Sequence, residues 1–567
     1  MKKTFLLSCL MLAAMPVMAA YTGHVYVDKN KNGVFDQSEK PLAGIKVSDG
    51  LNVVETAADG SFTLPGHERE RFIFITTPSG YKTFNRHYHK IEKKQSGYDF
   101  GLIPYSGRIR KDGSHRYIHI TDTEIFNTEN HADWVNNVHD YARNEQAAFI
   151  IHTGDLCYEK GLKAHIKLMN TENMDCPVFY CIGNHDLVKG KYGEELFESI
   201  YGPVYYSFDA GNVHYVVTPM PGGDHAPGYT SDDVCRWLKN DLAHIRPGTP
   251  VVVFNHDLLT YEDTFIFKSK NAGSINLNEY NLKAWVYGHW HINYMKKQGD
   301  VYSVCTSSLD KGGIDHSTTA FRVMHVDSKG DFTSELRYTY LDKNICIASP
   351  AGVMASGVLP VAVNVYSSVS PVREVLYTCL ADGKPVLKNK RLLQSTDWSW
   401  NGELPLSHKY VGKELTLRVT ARFNNGEIAE AESNFICRTE KAVPLFSADW
   451  DNLSGNAKHS APVSAPLNLP LQLAWTNNVG ANLYMTSPLI HKGKVIVASV
   501  DEDLKGAGHV YALNGKDGTI LWSCPVRNSI KNSIAVDSDI VFAQDAQAFC
   551  MPLIPKPVNC VGKSNCP

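Results

Sequence analysis

The sequence predicts an α/β core set between all-β modules. Three observations predict it. Over residues 106–345, short apolar runs at 117–120, 149–152, 178–182, 251–254 and 284–287 alternate with helical patterns at 134–145 and 234–244, as in a layered α/β fold. Residues 21–105 and 350–440 instead carry short alternating strands broken by turn signals, the pattern of small β-sandwiches. Third, polar clusters follow directly on the core's apolar runs, where open α/β sheets place their sites.

Taken in order, residues 1–19 read as a signal peptide. Lys2-Lys3 form its charged start, Phe5 to Met15 its apolar stretch, and Val17-Met18-Ala19 a small-residue cleavage site. The apolar stretch is too short to span a bilayer, and no later segment is long and apolar enough to do so. The expectation is an exported chain, periplasmic or extracellular. Residues 20–105 follow as the first sandwich, with turns at Asp49-Gly50, Asp59-Gly60 and Pro78-Ser79-Gly80. The α/β core occupies 106–345 and a second sandwich 346–440, with strands at 361–366, 415–422 and 429–435. A Pro/Ser/Asn-rich linker covers 441–470.

Thirteen cysteines in an exported chain invite disulfides without deciding them. Cys157, Cys176 and Cys181 are expected as buried free thiols. Cys379 and Cys437, in the second sandwich, are the best pair. The net charge of −3 gives no electrostatic case for nucleic acid or an acidic membrane surface.

Five clusters carry the chemistry: Asp122-Thr123-Glu124, Gly154-Asp155, Gly183-Asn184-His185-Asp186, Asn255-His256 and Gly288-His289-Trp290-His291. All offer oxygen or imidazole donors. A phosphate ester is hard to hydrolyse because a poor nucleophile must attack an anion. Two cations roughly 3.5–4 Å apart ionise a water and neutralise the phosphoryl oxygens. A bridging carboxylate, several imidazoles and neutral oxygen donors would hold such a pair.

The order Asp-x-x, Gly-Asp, Gly-Asn-His-Asp, His, Gly-His-x-His resembles the calcineurin-like metallophosphoesterases over roughly residues 115–340. The resemblance implies a four-layer core, two packed β-sheets flanked by helices. It implies that Asp155 bridges two divalent ions, that Asp122 and His291 hold the first, and that Asn184, His256 and His289 hold the second. His185 would protonate or stabilise the leaving oxygen, oriented by Asp186. A metal-bridging hydroxide would attack in line on a phosphate mono- or diester, from a small phosphorylated molecule or a phosphoprotein. One departure stands out: the first motif usually reads Asp-x-His, and here it ends in Glu124. As a ligand, Glu124 would favour Mn²⁺, Mg²⁺ or iron over zinc; as a non-ligand, it would leave the first metal weakly held. The segment Lys311-Gly312-Gly313-Ile314-Asp315-His316 is either a loop that brings His316 to the substrate or an ordinary hairpin.

Residues 28–39 fit a twelve-residue calcium loop. Asp28, Asn30, Asn32, Asp36 and Glu39 supply side-chain oxygens and Val34 a carbonyl, with Gly33 at the sixth place. The flanks are β-like, so a bound calcium would be structural; without an ion the stretch is an Asn/Gly turn. The run from Gly506 to Trp522 sets two strands about an Asp-Gly turn and closes on Trp, which resembles a blade of pyrroloquinoline-quinone-type propellers. Such propellers need typically about 4–8 blades, and residues 471–567 supply fewer than two. Residues 550–567 lack a strand pattern, and back-translation one frame over restores a second blade signature, so they read as frameshifted and the propeller as incomplete. Residues beyond about 445 are therefore expected to be poorly packed and dispensable for hydrolysis. The rival functions are an exported binding protein with a decayed metal site, and a fragment of a quinone-dependent oxidoreductase.

Overall fold

The structure, a computed structural model, describes residues 21–95, 97–441, 448–460, 471–538 and 540–547, and the backbone of two further strands, Phe549–Leu553 and Ser564–Asn565. The signal-peptide reading, much of the 441–470 linker and most of 550–567 fall outside these residues. Within 550–567 the two strands join an antiparallel sheet, contrary to the expectation of no strand pattern there.

The α/β core is built on two sheets. The first orders Val178–Tyr180, Phe149–His152, His115–Ile120, Ala320–Val326 and Phe332–Tyr338. The second orders Tyr206–Ala210, Val213–Val217, Val251–Phe254, Leu282–Tyr287, Val301–Cys305 and Tyr294–Gln298. Alternation along each strand sends successive side chains to opposite faces. On the first sheet Tyr117, Phe149 and Phe179 turn inward to meet Phe208, Tyr215 and Phe254 of the second. The rings of Phe179 and Phe208 stack 3.7 Å apart, and those of Tyr117 and Phe149 4.7 Å apart. Ile118, Ile120 and Ile150 turn outward onto Trp134, Val138 and Tyr141 of helix Ala132–Asn144 and onto Leu162 of helix Tyr158–Leu168. The outer face of the second sheet takes Trp237 and Leu238 of helix Ser231–Ala243. Thr230 starts that helix by accepting from Asp233 N, while Asp233 accepts from Thr230 N, a reciprocal cap. Helix, sheet, sheet, helix is the four-layer core the motif order implied.

Residues 21–105 form two sheets centred on Tyr21–Val27 and Phe72–Ile75, with Val25, Leu64, Ile75 and Leu102 between them. They are welded to the core. Phe72 and Phe74 belong to its apolar cluster, and Arg71 pairs with buried Glu194 at 2.7 Å. Residues 344–438 also make two sheets around one apolar core. There the expected disulfide is absent. Cys379 on Val372–Ala381 and Cys437 on Ile428–Arg438 are separate buried thiols, because strand Glu414–Phe423 lies between theirs. Cys157, Cys176 and Cys181 are buried and free, as expected.

The described residues beyond 445 are packed, contrary to expectation. Their two four-stranded sheets share a core in which Leu489 and Ile496 meet Val541 and Ala543. Trp450, placed in the linker by composition, pairs with Ile490 by two backbone hydrogen bonds. The segment also docks on the α/β core through buried charges. Arg322, fully buried, meets Asp503 at 2.5 Å. Lys531 Nζ lies 2.8 Å from Glu502 and 2.9 Å from Asp315, and donates to Asn293 O at 2.5 Å. Asn528 donates to Met295 O at 3.0 Å. Composition could not show this, because each partner is an ordinary charged or polar residue until the fold brings it to the interface.

Candidate metal centre

Every cluster singled out in the sequence lies just beyond the end of a core strand. Asp122 follows His115–Ile120, Asp155 follows Phe149–His152, and Asn184 opens a 3-10 turn after Val178–Tyr180. His256 follows Val251–Phe254, and His289 and His291 follow Leu282–Tyr287. The first three come from one sheet and the last three from the other, so the site forms where the two sheets' ends meet.

The donors converge. His256 Nε2 lies 3.2 Å from Asp155 Oδ2, 3.1 Å from Asn184 Oδ1 and 3.9 Å from Asp122 Oδ1. His291 Nε2 lies 3.2 Å from Asp122 Oδ1. Donor atoms of Asp155, His256 and His289 fall within 4.8 Å of one another. The backbone is bent to achieve this: Asp122, Glu124, Asp155, His289 and His291 all have positive φ, between 44° and 63°. Such left-handed positions cost free energy for residues other than glycine and concentrate at functional sites. Two motif glycines are there for clearance. A Cβ on Gly183 would lie 2.2 Å from Asp155 Oδ1, and one on Gly288 1.9 Å from Thr121 Oγ1.

These residues fit a pair of divalent ions. Asp122 Oδ2 accepts from Thr121 Oγ1 at 2.6 Å and from His289 N at 3.0 Å. Its Oδ1 is buried with no hydrogen-bond donor and faces the imidazoles, and a buried carboxylate oxygen in that state calls for a cation. His256 Nδ1 donates to Thr153 O at 2.7 Å, which leaves Nε2 as the metal-facing lone pair. Burial pulls the His256 imidazole down, but the Asp155 charge and hydrogen bond outweigh it and push it up to about 10. The carboxylates therefore demand positive charge at this point.

Glu124 is brought to the cluster. Its Oε1 faces His291 Nε2 at 3.6 Å, while its Oε2 accepts from Lys311 Nζ at 3.0 Å. The Lys311–His316 segment lies against the site, with Ile314 N donating to His291 O at 2.9 Å. His316, the expected substrate contact, is exposed at positive φ, and among the described residues no hydrogen bond or ion pair ties its side chain to the cluster.

The expected orienter of His185 is corrected. Asp186 is fully buried and accepts three backbone N–H groups, from Asp155, Cys157 and Gly183, each at 2.9 Å. Burial, and then the nearby Asp155 charge, push it up to about 7. It ties the Gly-Asp turn to the Gly-Asn-His-Asp turn and does not reach the imidazole. His185 Nδ1 instead meets Asp224 Oδ2 at 2.8 Å. Asp224 sits on a Gly222-Gly223-Asp224 loop held by Asp224 N donating to Asn184 O at 3.1 Å. Sequence reading missed it because it lies outside every motif; the paired glycines before an aspartate were the available signal. The expected outcome for Asp224→Asn is a fall in kcat with metal content and KM unchanged. Steady-state kinetics beside metal analysis checks it, and an unchanged kcat would leave Asp224 without a positioning role.

A second layer was also missed. His119, fully buried, bridges Thr153 Oγ1 and Thr306 Oγ1 at 2.8 Å each, and Thr306 Oγ1 accepts from Arg322 Nε at 3.2 Å. Hydrogen bonds thus run from Asp503 in the C-terminal segment to Thr153, whose carbonyl orients His256.

In the calcium-type loop, Asp28 accepts from Asn32 N at 3.2 Å and Gly33 N at 2.9 Å, Asp36 Oδ2 accepts from the amides of Asn30 and Asn32, and Glu39 accepts from Lys29 N at 2.8 Å. The carboxylates close the loop through its own amides.

Comparison with known proteins agrees with the motif reading. Residues 115–293 match the family model for calcineurin-like phosphoesterase, and residues 29–104 match the model for the N terminal of calcineurin-like phosphoesterase. Purple acid phosphatase 13 of Arabidopsis thaliana is 26% identical over 215 residues, 35% of this chain and 36% of that protein. This chain thus spans about a third of the length of that relative. Among solved structures, a conserved uncharacterized protein from Streptococcus pneumoniae TIGR4, described as a predicted phosphoesterase, is 10% identical over 40% of this chain and 98% of its own, with a TM-score of 0.19. BamB from Moraxella catarrhalis is 12% identical over 43% of this chain and 58% of its own, with a TM-score of 0.13. The chain carries a calcineurin-like phosphoesterase domain with a candidate binuclear metal site.

Proposed function

We propose that the protein is a metal-dependent hydrolase of phosphate esters. The observation that carries this reading is the convergence of Asp122 Oδ1, Asp155 Oδ2, Asn184 Oδ1 and the Nε2 atoms of His256 and His291, with Asp122 Oδ1 buried and unpartnered. Asp155 would bridge two ions, Asp122 and His291 would hold one, and Asn184, His256 and His289 the other. Glu124 offers the first ion its Oε1 while Lys311 restrains its Oε2. When bound, the ions supply the charge that ionises water and neutralises the phosphoryl oxygens.

The chain's own groups do the rest. His185 stands beside Asp155, donating its backbone N–H to Asp155 Oδ1 at 3.0 Å, and presents Nε2 away from Asp224. Burial lowers its proton affinity, but the Asp224 hydrogen bond and the Asp155 charge raise it more, so the imidazole holds its proton more firmly than usual. It gives that proton to the departing oxygen, while Asp224 fixes the ring and its tautomer. A purified sample should contain two divalent ions per chain and hydrolyse a chromogenic phosphate ester. Protein that takes up no divalent ion and is inert on both mono- and diesters would favour the decayed-site reading.

The Lys2-Lys3 start and the apolar run behind it support export. The residues at 28–39 support a structural calcium, since a cation would replace the loop's own amides around Asp28, Asp36 and Glu39. Calcium is expected to raise the thermal midpoint of the full chain, because an ion that binds only the folded state stabilises it by mass action. Asp28→Ala should abolish the shift; coincident melting curves with calcium and with chelator would show that the loop binds none. The paired sheets of 21–105 and 344–438 support sandwich modules, and the 506–522 hairpin supports a propeller-type origin for the C-terminal segment.

A further inference from the structure

Between residues 115 and 338 four large apolar side chains are exposed: Phe126 at 56%, Tyr158 at 42%, Tyr261 at 74% and Ile314 at 77%. Isolated surface apolar residues need no explanation, but a group around one opening marks a binding surface. All four belong to the metal centre's surroundings. Phe126 follows Glu124 by two residues, Tyr158 follows Asp155 by three, and Tyr261 follows His256 by five. Ile314 donates its N–H to His291 O.

The rings are arranged as flat platforms. Phe126 and Tyr158 lie nearly parallel, 16° apart with centroids at 6.2 Å. Tyr158 in turn lies 5.2 Å from the His185 ring. Tyr261 stacks on Trp290 at 22° and 5.9 Å, and Trp290 stands between His289 and His291 with its Nε1 donating to Asp257 Oδ1 at 3.1 Å. Lys311, beside this surface, is committed to Glu124. This side of the site offers flat aromatic faces.

Resting on the phosphoesterase reading above, we infer that the substrate is a nucleoside phosphate ester whose base stacks on the Tyr158–Phe126 platform, with the ribose oxygen leaving beside His185. The donor cluster would fix the phosphoryl group and His185 the leaving oxygen. Tyr158 and then Phe126 lie beyond His185 on that side, where the base would follow the ribose. A planar base stacks face to face on a flat, preset ring, and base–aromatic stacking is tolerant of which base is present.

Two measurements test this. The first is equilibrium binding of the non-hydrolysable methylenephosphonate analogues of adenosine 5′-phosphate and ribose 5-phosphate to the metal-loaded full chain. The base should tighten binding at least about fivefold, the lower end of what a stacked base contributes, and Phe126→Ala should bring the ratio toward one. Equal affinity for the two analogues would overturn the inference even if a chromogenic ester is cleaved. The second is kcat/KM for adenosine 5′-phosphate against ribose 5-phosphate, and for their methyl diesters. A preference for the base-bearing ester, carried mainly by KM and reduced in Phe126→Ala, supports it, and equal kcat/KM overturns it. Base-dependent binding without hydrolysis of any ester would sink the hydrolase reading and leave the base platform standing.

Discussion

His291→Ala and Asn184→Ala should each lose a metal ion and, with it, hydrolysis, whereas His185→Ala should lose hydrolysis with both ions retained. The three residues sit within one cluster but face different ways. His291 Nε2 is 3.2 Å from the unpartnered Asp122 Oδ1, and Asn184 Oδ1 is 3.1 Å from His256 Nε2, so both aim donor atoms into the cluster that would hold the ions. His185 ties its Nδ1 to Asp224 and its backbone N–H to Asp155, and its ring lies against Tyr158 at the exposed side. Removing a general acid costs roughly 10²–10⁴ in rate. The cost should be larger for an alkyl ester than for p-nitrophenyl phosphate, whose leaving group departs without a proton. Metal content by mass spectrometry, beside kcat on both esters, separates the roles. A metal ion missing from His185→Ala, or equal losses on the two esters, would show that His185 is not the proton donor.

Asp503→Ala, in the full chain, should be among the most destabilising single changes in the molecule. Arg322 is fully buried and its guanidinium is held by Asp503, Ser334 and the carbonyls of Cys305 and Glu502. Removing one partner of a buried pair typically costs about 3–5 kcal/mol, because the remaining charge stays buried without its counter-ion. The same change should reach the site, since Arg322 is linked through Thr306, His119 and Thr153 to His256. A chain ended near Lys441 should be less soluble and less active than the full chain, because it strips away Asp503, Glu502 and Lys531 together. Lys531 bridges Asn293, two residues after His291, and Asp315 in the loop resting on His291. Thermal melts and specific activity of the two variants check this. A truncated chain as active and as soluble as the parent would return the segment to the dispensable status its unfinished blade pattern suggested.

The two outcomes divide along the line between local and long-range information. The converging donors were legible in the sequence because each belongs to a short strand-to-turn motif. In an open α/β arrangement the strand order carries those turns to one edge, so local patterns such as Gly183-Asn184-His185-Asp186 and Gly288-His289-Trp290-His291 specify their own placement. The core strands were legible for the same reason. Tyr117, Phe149 and Phe254 lie in apolar runs long enough to be strands and too short to be helices. Helix Tyr158–Leu168 was not, since its buried Gly161, Ala164 and His165 make a weak apolar stripe.

What the sequence by itself determined is thus the α/β core, the five clusters and the chemistry their residue types allow. Only the tertiary structure decided which carboxylate serves which neighbour. Asp186 and Asp224 look alike as aspartates, yet one is spent on three backbone amides and the other on His185. It also decided that the C-terminal sheets dock on the α/β core and that Cys379 and Cys437 stay apart. The physical reason is that a hydrogen bond or ion pair depends on a few tenths of an ångström between groups far apart in the chain. Hydrophobic periodicity constrains which face a strand buries, not which charged atom it meets there.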